Sequence, residues 1–365
     1  MKITQIAIWD HRPIFRDGPF IMSHVSQSNI VSRIIQITLD TGDQGVGEII
    51  FPPSIPITEV EARINAEKDY LNSLIGQDLT DLETVINQFS ERDKAWRAVA
   101  FGLDTAKIDL QARQRNCSFS EQLGGEITAS VLDYISISEK TLPRLQKRLT
   151  ITGPDRVIQL EIGIGSIEDD CQQLNLTLES AAKNQTILAD ANGGWTIERA
   201  LETITRFDDA RIIWEEPCSV YKDNAIVAER SGKPIMLDQC IIEYETALRA
   251  IVENRVHSIC IKPPVLGSLN HSRNIRDLCI EKKIPMRIDG PFCSNIANAA
   301  ILSLALGTPE KLLISGCDLC EPLVIDNNLP SIRQLSRGRI APPEGLGLGI
   351  TDMEESLGSP DNVYQ

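Results

Sequence analysis

The chain has 365 residues and a mass of 40.4 kDa, which is long enough for a full hydrophobic core and predicts two domains. It carries 51 Asp and Glu against 36 Lys and Arg, so its formal net charge is −15 and its pI is near 4.8. Because nucleic-acid binding requires clustered Lys and Arg, this balance argues against a nucleic-acid partner. An anionic substrate would need local compensation, which a divalent cation can supply.

The nine cysteines are an odd number spread mostly through apolar segments, and the chain begins without a secretory apolar segment. Since no apolar run approaches the roughly 20 residues of a membrane span, we expect a reduced, cytoplasmic protein with no membrane partner. Cys317 and Cys320 have C-x-x-C spacing, but no second Cys or His pair at ligand spacing accompanies them. We interpret them as two small residues near a strand end, with redox chemistry or half of a zinc site as the alternative.

Residues 1–125 are predicted to form an α+β domain. Two apolar segments punctuated by turn residues indicate antiparallel strands, KITQIAIWDHRPI and SRIIQITLDTGDQGVGEII. Residues from about Glu59 to Gln114 then show helical periodicity.

From about Thr128 onward, short strands alternate with helical segments. Eight strand candidates with polar residues at their C-terminal ends favour a closed parallel barrel over an open sheet, and we place this barrel at residues 126–327. Residues 328–365 are rich in Pro and Gly, and we expect them to return to the first domain. The predicted strands are VLDYISIS, RVIQLEIG, QTILADAN, ARIIWEE, KPIMLDQ, SICIKPP, IPMRIDG and EKLLISG.

Three of these strands run directly into a carboxylate, at Asp190, Glu215 and Asp238. The intervals are 25 and 23 residues, close to the length of a strand, a crossover helix and two short loops. Three hard oxygen ligands that meet at one edge of a barrel suit Mg²⁺, which leaves coordination positions open for a substrate. Each carboxylate could instead cap a helix, but three at matched positions favour the metal.

The motifs DAN, EEP and LDQ around these carboxylates resemble those of the enolase superfamily, in the mandelate racemase/muconate lactonizing enzyme group, and the resemblance covers essentially the whole chain. It implies an α/β fold, a (β/α)7β TIM-like barrel with an α+β N-terminal capping domain. It also implies that Asp190, Glu215 and Asp238 hold Mg²⁺ against a small carboxylate substrate. Members of the group commonly form dimers or octamers, so a homo-oligomer is expected.

Lys262, in SICIKPPVLGSL, matches the sixth-strand lysine base of the muconate lactonizing branch. The branch that uses a seventh-strand histidine is disfavoured, because IPMRIDGPF contains none. A desolvated lysine beside other positive charge has a lowered pKa, and we expect this of Lys262. The alternative is a solvated loop lysine.

The second strand departs from the family pattern. The family has Lys-x-Lys before a glycine, whereas IQLEIG places Gln159 and Glu161 in the two lysine positions. Gln239 likewise follows Asp238 where an acidic residue is usual. Glu161 could act as an acid/base, add a metal contact, or mark a site that has lost the ancestral reaction.

Two capping loops, DGPFIMSH and IIFPPSIP, are expected to select the substrate. The first resembles the loop of family members that act on hydroxyproline or proline betaine. Apolar residues of both loops would form a lid, with packing inside the capping domain as the alternative. Asp289 could meet a substrate ammonium group or cap the following helix. The predicted substrate-binding residues are Phe20, Ser23, His24, Phe51, Asn192 and Asp289.

The favoured function is Mg²⁺-dependent abstraction of a proton α to a carboxylate, with Lys262 and Glu161 as catalytic residues. A β-elimination needs only one base, so we favour a dehydratase, a lyase that acts on a small hydroxy acid or a cyclic amino acid such as a hydroxyproline. The first alternative is a racemase or epimerase of an amino acid or betaine, with Lys262 and Glu161 as opposed bases. The second is a catalytically degenerate barrel that binds a metal or a carboxylate.

Overall fold

The computed structural model describes residues 1–21, 26–52, 55–125, 127–325, 328–350 and 353–365. We call residues 1–125 the cap. Its strands are β1 (Ile3–His11), β2 (Ile14–Phe15), β3 (Phe20–Ile21), β4 (Ser26–Gln27), β5 (Val31–Leu39) and β6 (Gln44–Phe51). Its helices are α1 (Ile57–Ser73), α2 (Leu82–Ser90), α3 (Lys94–Gln114) and α4 (Phe119–Leu123).

An antiparallel sheet in the order β18-β1-β5-β6 forms the centre of the cap, and β18 (Asn362–Tyr364) comes from the C-terminal end of the chain. Helix α3 lies directly against β6, and a Cβ atom at Gly47 would lie 2.0 Å from the carbonyl oxygen of Gly102. The glycine at this position therefore permits the close approach of helix and strand. Asp93 caps α3 by accepting hydrogen bonds from the backbone N–H groups of Ala95 and Trp96.

The second half of the chain is a curled parallel sheet whose strands follow one another in chain order. These strands are buried almost throughout, as expected when a parallel sheet is covered on both faces. They are β8 (Tyr134–Ile137), β9 (Val157–Glu161), β10 (Ile187–Asp190), β11 (Ile212–Glu215), β12 (Ile235–Leu237), β13 (Ser258–Ile261) and β14 (Met286–Ile288).

The eighth predicted strand, EKLLISG, extends this sheet through an isolated parallel bridge between Met286 and Leu313. A few residues later the N–H group of Gly316 donates to the carbonyl oxygen of Leu132, 2.9 Å away, next to the first strand. The segment thus links the two ends of the parallel sheet. The predicted fold, a TIM-like barrel with an N-terminal capping domain, is confirmed.

The crossover helices pack against the strands and against each other. They are α5 (Leu142–Thr152), α6 (Ile167–Ser180), α7 (Ile197–Ile204), α8 (Tyr221–Ser231), α9 (Tyr244–Glu253), α10 (Pro263–Leu266), α11 (Leu269–Lys282) and α12 (Asn295–Leu306). The remaining short elements are β7 (Val131–Leu132), β15 (Leu323–Val324), β16 (Arg333–Gln334), β17 (Arg339–Ala341) and α13 (Met353–Leu357). Within the described ranges, no helix combines the length and the apolar character that crossing a membrane requires.

A buried carboxylate joins the cap to the barrel. Glu48, on β6, accepts hydrogen bonds from the N–H and hydroxyl groups of Ser294 and from the N–H group of Ala297, at distances of 2.6–3.2 Å. Both donors lie at the start of α12, which follows β14. Because a helix that follows a parallel strand begins at the carboxyl edge of the sheet, these bonds fix the cap over that edge.

Candidate active site

The three predicted metal ligands lie at the carboxyl ends of neighbouring strands. Asp190 ends β10 and Glu215 ends β11, and the two residues are paired in register. Asp238 follows the last residue of β12. All three side chains are buried. The three carboxylates, which are evenly spaced along the sequence, therefore lie close together at one edge of the barrel.

Hydrogen bonds connect these carboxylates to the second and sixth strands. The Nε2 atom of Gln159 donates to Asp190 Oδ2 at 2.8 Å and to Glu215 Oε2 at 3.2 Å. Lys262 Nζ donates to Asp238 Oδ2 at 2.7 Å. The second oxygen of Asp238, Oδ1, is buried without a hydrogen-bond partner among the described residues. That oxygen is available to a cation.

Ligand atoms of Glu215, Asp238 and Cys260 all lie within 4.8 Å of one another. Asp190 is outside this group and joins Glu215 through the amide of Gln159. Burial raises the pKa of the Cys260 thiol well above its usual value. A protonated, soft sulfur is a poor ligand for Mg²⁺, so the oxygens of the carboxylates are the better donors.

Burial and mutual repulsion disfavour the ionised forms of the carboxylates. Burial raises the pKa of Asp190 well above its usual value, and the charges of Glu161 and Asp238 raise it further. The pKa of Glu215 is also raised well above its usual value, mainly by burial, although the charge of Arg287 opposes this. A divalent cation would relieve both effects, so the donor set fits Mg²⁺.

Lys262 lies directly after β13, with its ammonium group between two acids. Its Nζ atom is 2.7 Å from Asp238 Oδ2 and 4.0 Å from Asp289 Oδ2. Burial alone would lower the pKa of this lysine, but the charge of Asp238, with that of Asp289, raises the pKa well above its usual value. The expected lowering of the lysine pKa is therefore not produced by these side chains, because the charges nearest to Lys262 are negative.

Glu161 ends β9 and is the register partner of Asp190. Its Oε2 atom accepts a hydrogen bond from Asn192 Nδ2 at 2.6 Å, and its Oε1 atom accepts one from Ser136 Oγ at 3.4 Å. Burial raises the pKa of Glu161 to about 7, and the charge of Lys140 opposes the rise. A carboxyl group with this pKa can both donate and accept a proton near neutral pH.

Asn192 is held in the left-handed region, with a φ of 50°. Its backbone N–H donates to Asp190 Oδ1 at 2.8 Å, and its side chain joins Glu161 to Gln239. In this arrangement Asn192 orders the carboxylates at the ends of β9 and β10. Its predicted contact with a substrate stays a prediction.

Arg287, in the middle of β14, is a site residue that the sequence analysis missed. Its guanidinium donates to both oxygens of Glu215, at 2.6 and 3.0 Å, and to Asp289 Oδ2 at 2.8 Å. Its Cζ atom also lies 4.9 Å from the ring centroid of Tyr134. An arginine inside the otherwise apolar strand segment IPMRI was the available signal, because buried charges are retained where they are paired.

Asp289 is part of this ion network. It accepts from Arg287 and from the hydroxyl of Tyr134, at 3.4 Å, and it faces Lys262. Burial alone would raise the pKa of Asp289, but the charges of Arg287 and Lys262 hold it below its usual value. The alternative that Asp289 caps the following helix was wrong, because Ser294 is the N-cap of α12.

Glu216, the second acid of the EEP motif, supports the backbone around Asp238. Its carboxylate accepts hydrogen bonds from the N–H groups of Asp238 and Cys240 and from Asn224 Nδ2. Its φ of 39° is unusual for a residue with a side chain. These contacts make Glu216 a positioning residue for Asp238, and the sequence analysis did not single it out.

The predicted substrate-binding residues of the two capping loops lie in different surroundings. Phe20 packs against Phe292, which follows β14, with ring centroids 4.8 Å apart, so this loop reaches the carboxyl edge of the barrel. Phe51 is buried in the hydrophobic cluster of the cap, which agrees with the packing alternative. Ser23 and His24 lie outside the described residues.

The two cysteines of the C-x-x-C pair have different hydrogen-bond partners. Cys317 Sγ lies 3.9 Å from the carbonyl oxygen of Ile288, whereas Cys320 Sγ accepts from Asn298 Nδ2 at 3.4 Å. All nine cysteines are free, and burial raises the pKa of both Cys317 and Cys320. Protonated, buried thiols agree with the structural interpretation of this pair.

Comparisons with known proteins identify the family of the chain. The model of the mandelate racemase / muconate lactonizing enzyme N-terminal domain matches residues 3–124, and the enolase C-terminal domain-like model matches residues 147–356. The cis-3-hydroxy-L-proline dehydratase of Roseibium aggregatum is 26% identical over 369 residues, which cover 100% of each chain. The D-Ala-D/L-Ala epimerase of Cytophaga hutchinsonii is 24% identical over 100% of this chain and 99% of its own.

The fold is also shared with solved structures. The dipeptide epimerase from Cytophaga hutchinsonii, complexed with Mg and the dipeptide D-Ala-L-Val, has a TM-score of 0.88 at 22% identity, with 100% of both chains covered. The two family models together span most of the chain. The chain therefore belongs to the enolase superfamily, in its mandelate racemase/muconate lactonizing enzyme group.

Proposed function

We propose that the protein catalyses Mg²⁺-dependent abstraction of a proton α to a carboxylate, as a dehydratase of a small hydroxy acid or a cyclic amino acid such as a hydroxyproline. It is an enzyme of the lyase or isomerase kind, as its relatives are. The observation that carries the proposal is the placement of Lys262, 2.7 Å from Asp238, beside the buried carboxylates at the barrel edge.

Asp190, Glu215 and Asp238 would hold the Mg²⁺ ion, and the free oxygen of Asp238 supports this. Bound Mg²⁺ would supply positive charge where negative charge develops on the substrate carboxylate. A neighbour with the same fold is complexed with magnesium. Engagement of Asp238 by a cation would also weaken its pairing with Lys262, which removes the main cause of the raised lysine pKa.

Lys262, in its neutral form, would take the α-proton. The electron pair of the C–H bond then forms a C=C bond with the β-carbon, the C–O bond breaks, and the hydroxyl leaves with a proton as water. A single base can serve both proton transfers when the α-hydrogen and the hydroxyl lie on the same face of the substrate. This is why the loss of the second-strand lysines is compatible with a dehydratase.

A racemase or epimerase is the second candidate, and the position of Glu161 favours it. Glu161 comes from β9, whereas Lys262 follows β13, so the two groups flank the carboxylates of β10 to β12. Opposed acid/base groups are what inversion at an α-carbon requires. Several relatives are epimerases or racemases by name.

The test is a substrate panel in D₂O with millimolar Mg²⁺, followed by NMR. The panel contains both cis- and trans-3-hydroxyproline, small hydroxy acids and amino acids. We expect water elimination and α-deuterium incorporation, both reduced at least about 100-fold by Lys262→Ala. Lys147→Ala, on the exposed side of α5, is the matched control and should leave both rates unchanged.

Deuterium incorporation with inversion and without elimination would instead support the epimerase. Turnover that survives Lys262→Ala would contradict the assignment of the base. Calorimetry tests the metal separately: Glu215→Gln should weaken Mg²⁺ binding, and absence of Mg²⁺ binding to the wild type would contradict the whole proposal. Metal binding without proton exchange across the panel would support the degenerate barrel.

A further inference from the structure

A second lysine approaches the candidate site from a strand that the family pattern does not use. Lys140 lies in the loop between β8 and α5, three residues beyond the end of β8. Its Nζ atom donates to the carbonyl oxygen of Glu161 at 3.0 Å. The ammonium group therefore lies at the carboxyl end of β9, although its backbone belongs to the neighbouring loop.

The order of the strands separates Lys140 from Lys262 by the strands that carry the proposed metal ligands. In the sheet order β14-β13-β12-β11-β10-β9-β8, Lys262 follows β13 and Lys140 follows β8. The carboxylates proposed to hold the metal lie on the strands between them. A substrate held at these carboxylates would thus have one lysine on each side.

Lys140 has the capacity to bind a ligand. One of its three N–H groups donates to the Glu161 carbonyl, which leaves two for water or a substrate. The side chain is half-buried, so it is partly removed from bulk water without being enclosed. Burial lowers the pKa of Lys140, while the charges of Glu161, Asp170 and Asp190 oppose this.

Glu161, which stands where the family has its second-strand lysine, is less available. Both of its carboxylate oxygens have hydrogen-bond partners, Asn192 and Ser136, and the side chain is 4% exposed. It is held within the wall of the barrel. Lys140 reaches the end of β9 from the neighbouring loop and brings an ammonium group to this side of the site.

We propose that Lys140 is the second acid/base group of the site and protonates the leaving hydroxyl on the face opposite Lys262. This rests on the dehydratase function proposed above. Lys262 takes the α-proton, the electron pair forms the C=C bond, the C–O bond breaks, and the departing hydroxyl takes a proton from the Lys140 ammonium to become water. Lys140 is left neutral and Lys262 protonated, so protons and charge balance.

Substrate stereochemistry makes this step testable. In cis-3-hydroxy-L-proline the α-hydrogen and the hydroxyl lie on opposite faces of the ring, so elimination requires an acid across from Lys262. With Lys140→Ala we expect dehydration of this compound to fall at least about 100-fold. Deuterium exchange at its α-carbon, which depends on Lys262, should stay near the wild-type rate.

The controls separate this proposal from the proposed function. Lys262→Ala should lose both dehydration and exchange, and Lys147→Ala neither. Dehydration that survives Lys140→Ala overturns the role of Lys140 while the dehydratase stands. If Glu161→Gln loses dehydration while Lys140→Ala retains it, Glu161 is the acid and the proposal is overturned. Thermal melting should show that Lys140→Ala is folded. A lysine with only a structural role would change the stability of the protein, but it would not change the ratio of the dehydration rate to the deuterium-exchange rate.

A second measurement does not depend on turnover. Lysines are acetylated with acetic anhydride and quantified by mass spectrometry, with and without Mg²⁺ and pyrrole-2-carboxylate, a planar carboxylate. Contact with the ligand predicts that Lys140 and Lys262 are both protected, whereas Lys147 is not. Protection of Lys262 without protection of Lys140 overturns the proposal.

Discussion

Substitution of Arg287 tests how much the pairing of buried charges contributes to the stability of the barrel. Its guanidinium and the carboxylate of Glu215 are both fully buried, and two hydrogen bonds of 2.6 and 3.0 Å join them. Asp289 accepts a further bond from the same guanidinium. Arg287→Met keeps most of the apolar volume and removes the charge, which leaves the buried carboxylate of Glu215 without its ion-pair partner and Asp289 with Lys262 alone.

Loss of one partner of a buried ion pair costs about 3–5 kcal/mol, mainly because an unpaired charge stays behind. This is a large share of the roughly 5–15 kcal/mol that holds a typical domain folded. We therefore expect Arg287→Met to lower the free energy of unfolding by about 3–5 kcal/mol. Millimolar Mg²⁺ should reduce this loss, because a cation bound at Glu215 replaces part of the missing charge.

The assay is urea unfolding, with and without Mg²⁺. Arg249→Met is the matched control: its pair with Glu253 lies on an exposed helix face, and its loss should change the free energy of unfolding far less. The double variant Arg287→Met/Glu215→Gln should recover part of the loss, because the orphaned charge is gone. A loss below about 1 kcal/mol for Arg287→Met would refute the reasoning.

Three further outcomes follow from contacts away from the metal ligands. Glu48→Ala should lower stability by about 1–3 kcal/mol in thermal melts, because buried donors at the start of α12 lose their acceptor. Burial raises the pKa of Asp104 to about 6, so the folded state binds more protons than the unfolded one between about pH 4 and 6. Wild-type stability relative to Asp104→Asn should therefore fall as pH rises through this window, in melts at several pH values. Asp93→Ala should cost about 0.5–2 kcal/mol in the same assay, through loss of the cap of α3.

The fold was predictable because strand ends repeat along the sequence. A buried strand, a helix and two loops occupy a nearly constant length, so carboxylates 25 and 23 residues apart lie at adjacent strand ends. Asp190 and Glu215 are accordingly register partners. Local sequence patterns contain this information, and no contact between distant residues is needed to infer it.

Pairing across the barrel was not predictable in the same way. Arg287 meets Glu215 although β14 and β11 are not neighbours in the sheet, and Gln159 bridges Asp190 and Glu215 from β9. Such contacts depend on which side chains point into the barrel at the same height. The effect of neighbouring side chains on the pKa of Lys262 likewise depends on the distance to Asp238, which the sequence does not give.

The cationic side chains of the site are distributed unevenly among its carboxylates. Arg287 compensates Glu215, and Lys262 compensates Asp238, so the sixth- and seventh-strand side carries its own cations. Among the described residues, the groups that donate hydrogen bonds to the carboxylates of Glu161 and Asp190 are neutral: a hydroxyl, two side-chain amides and a backbone N–H. The family pattern would place two lysines on this second-strand side. Their replacement by Gln159 and Glu161 therefore removes two cations from this side of the site, where a bound divalent cation and the ammonium of Lys140 could balance the carboxylates of Glu161 and Asp190.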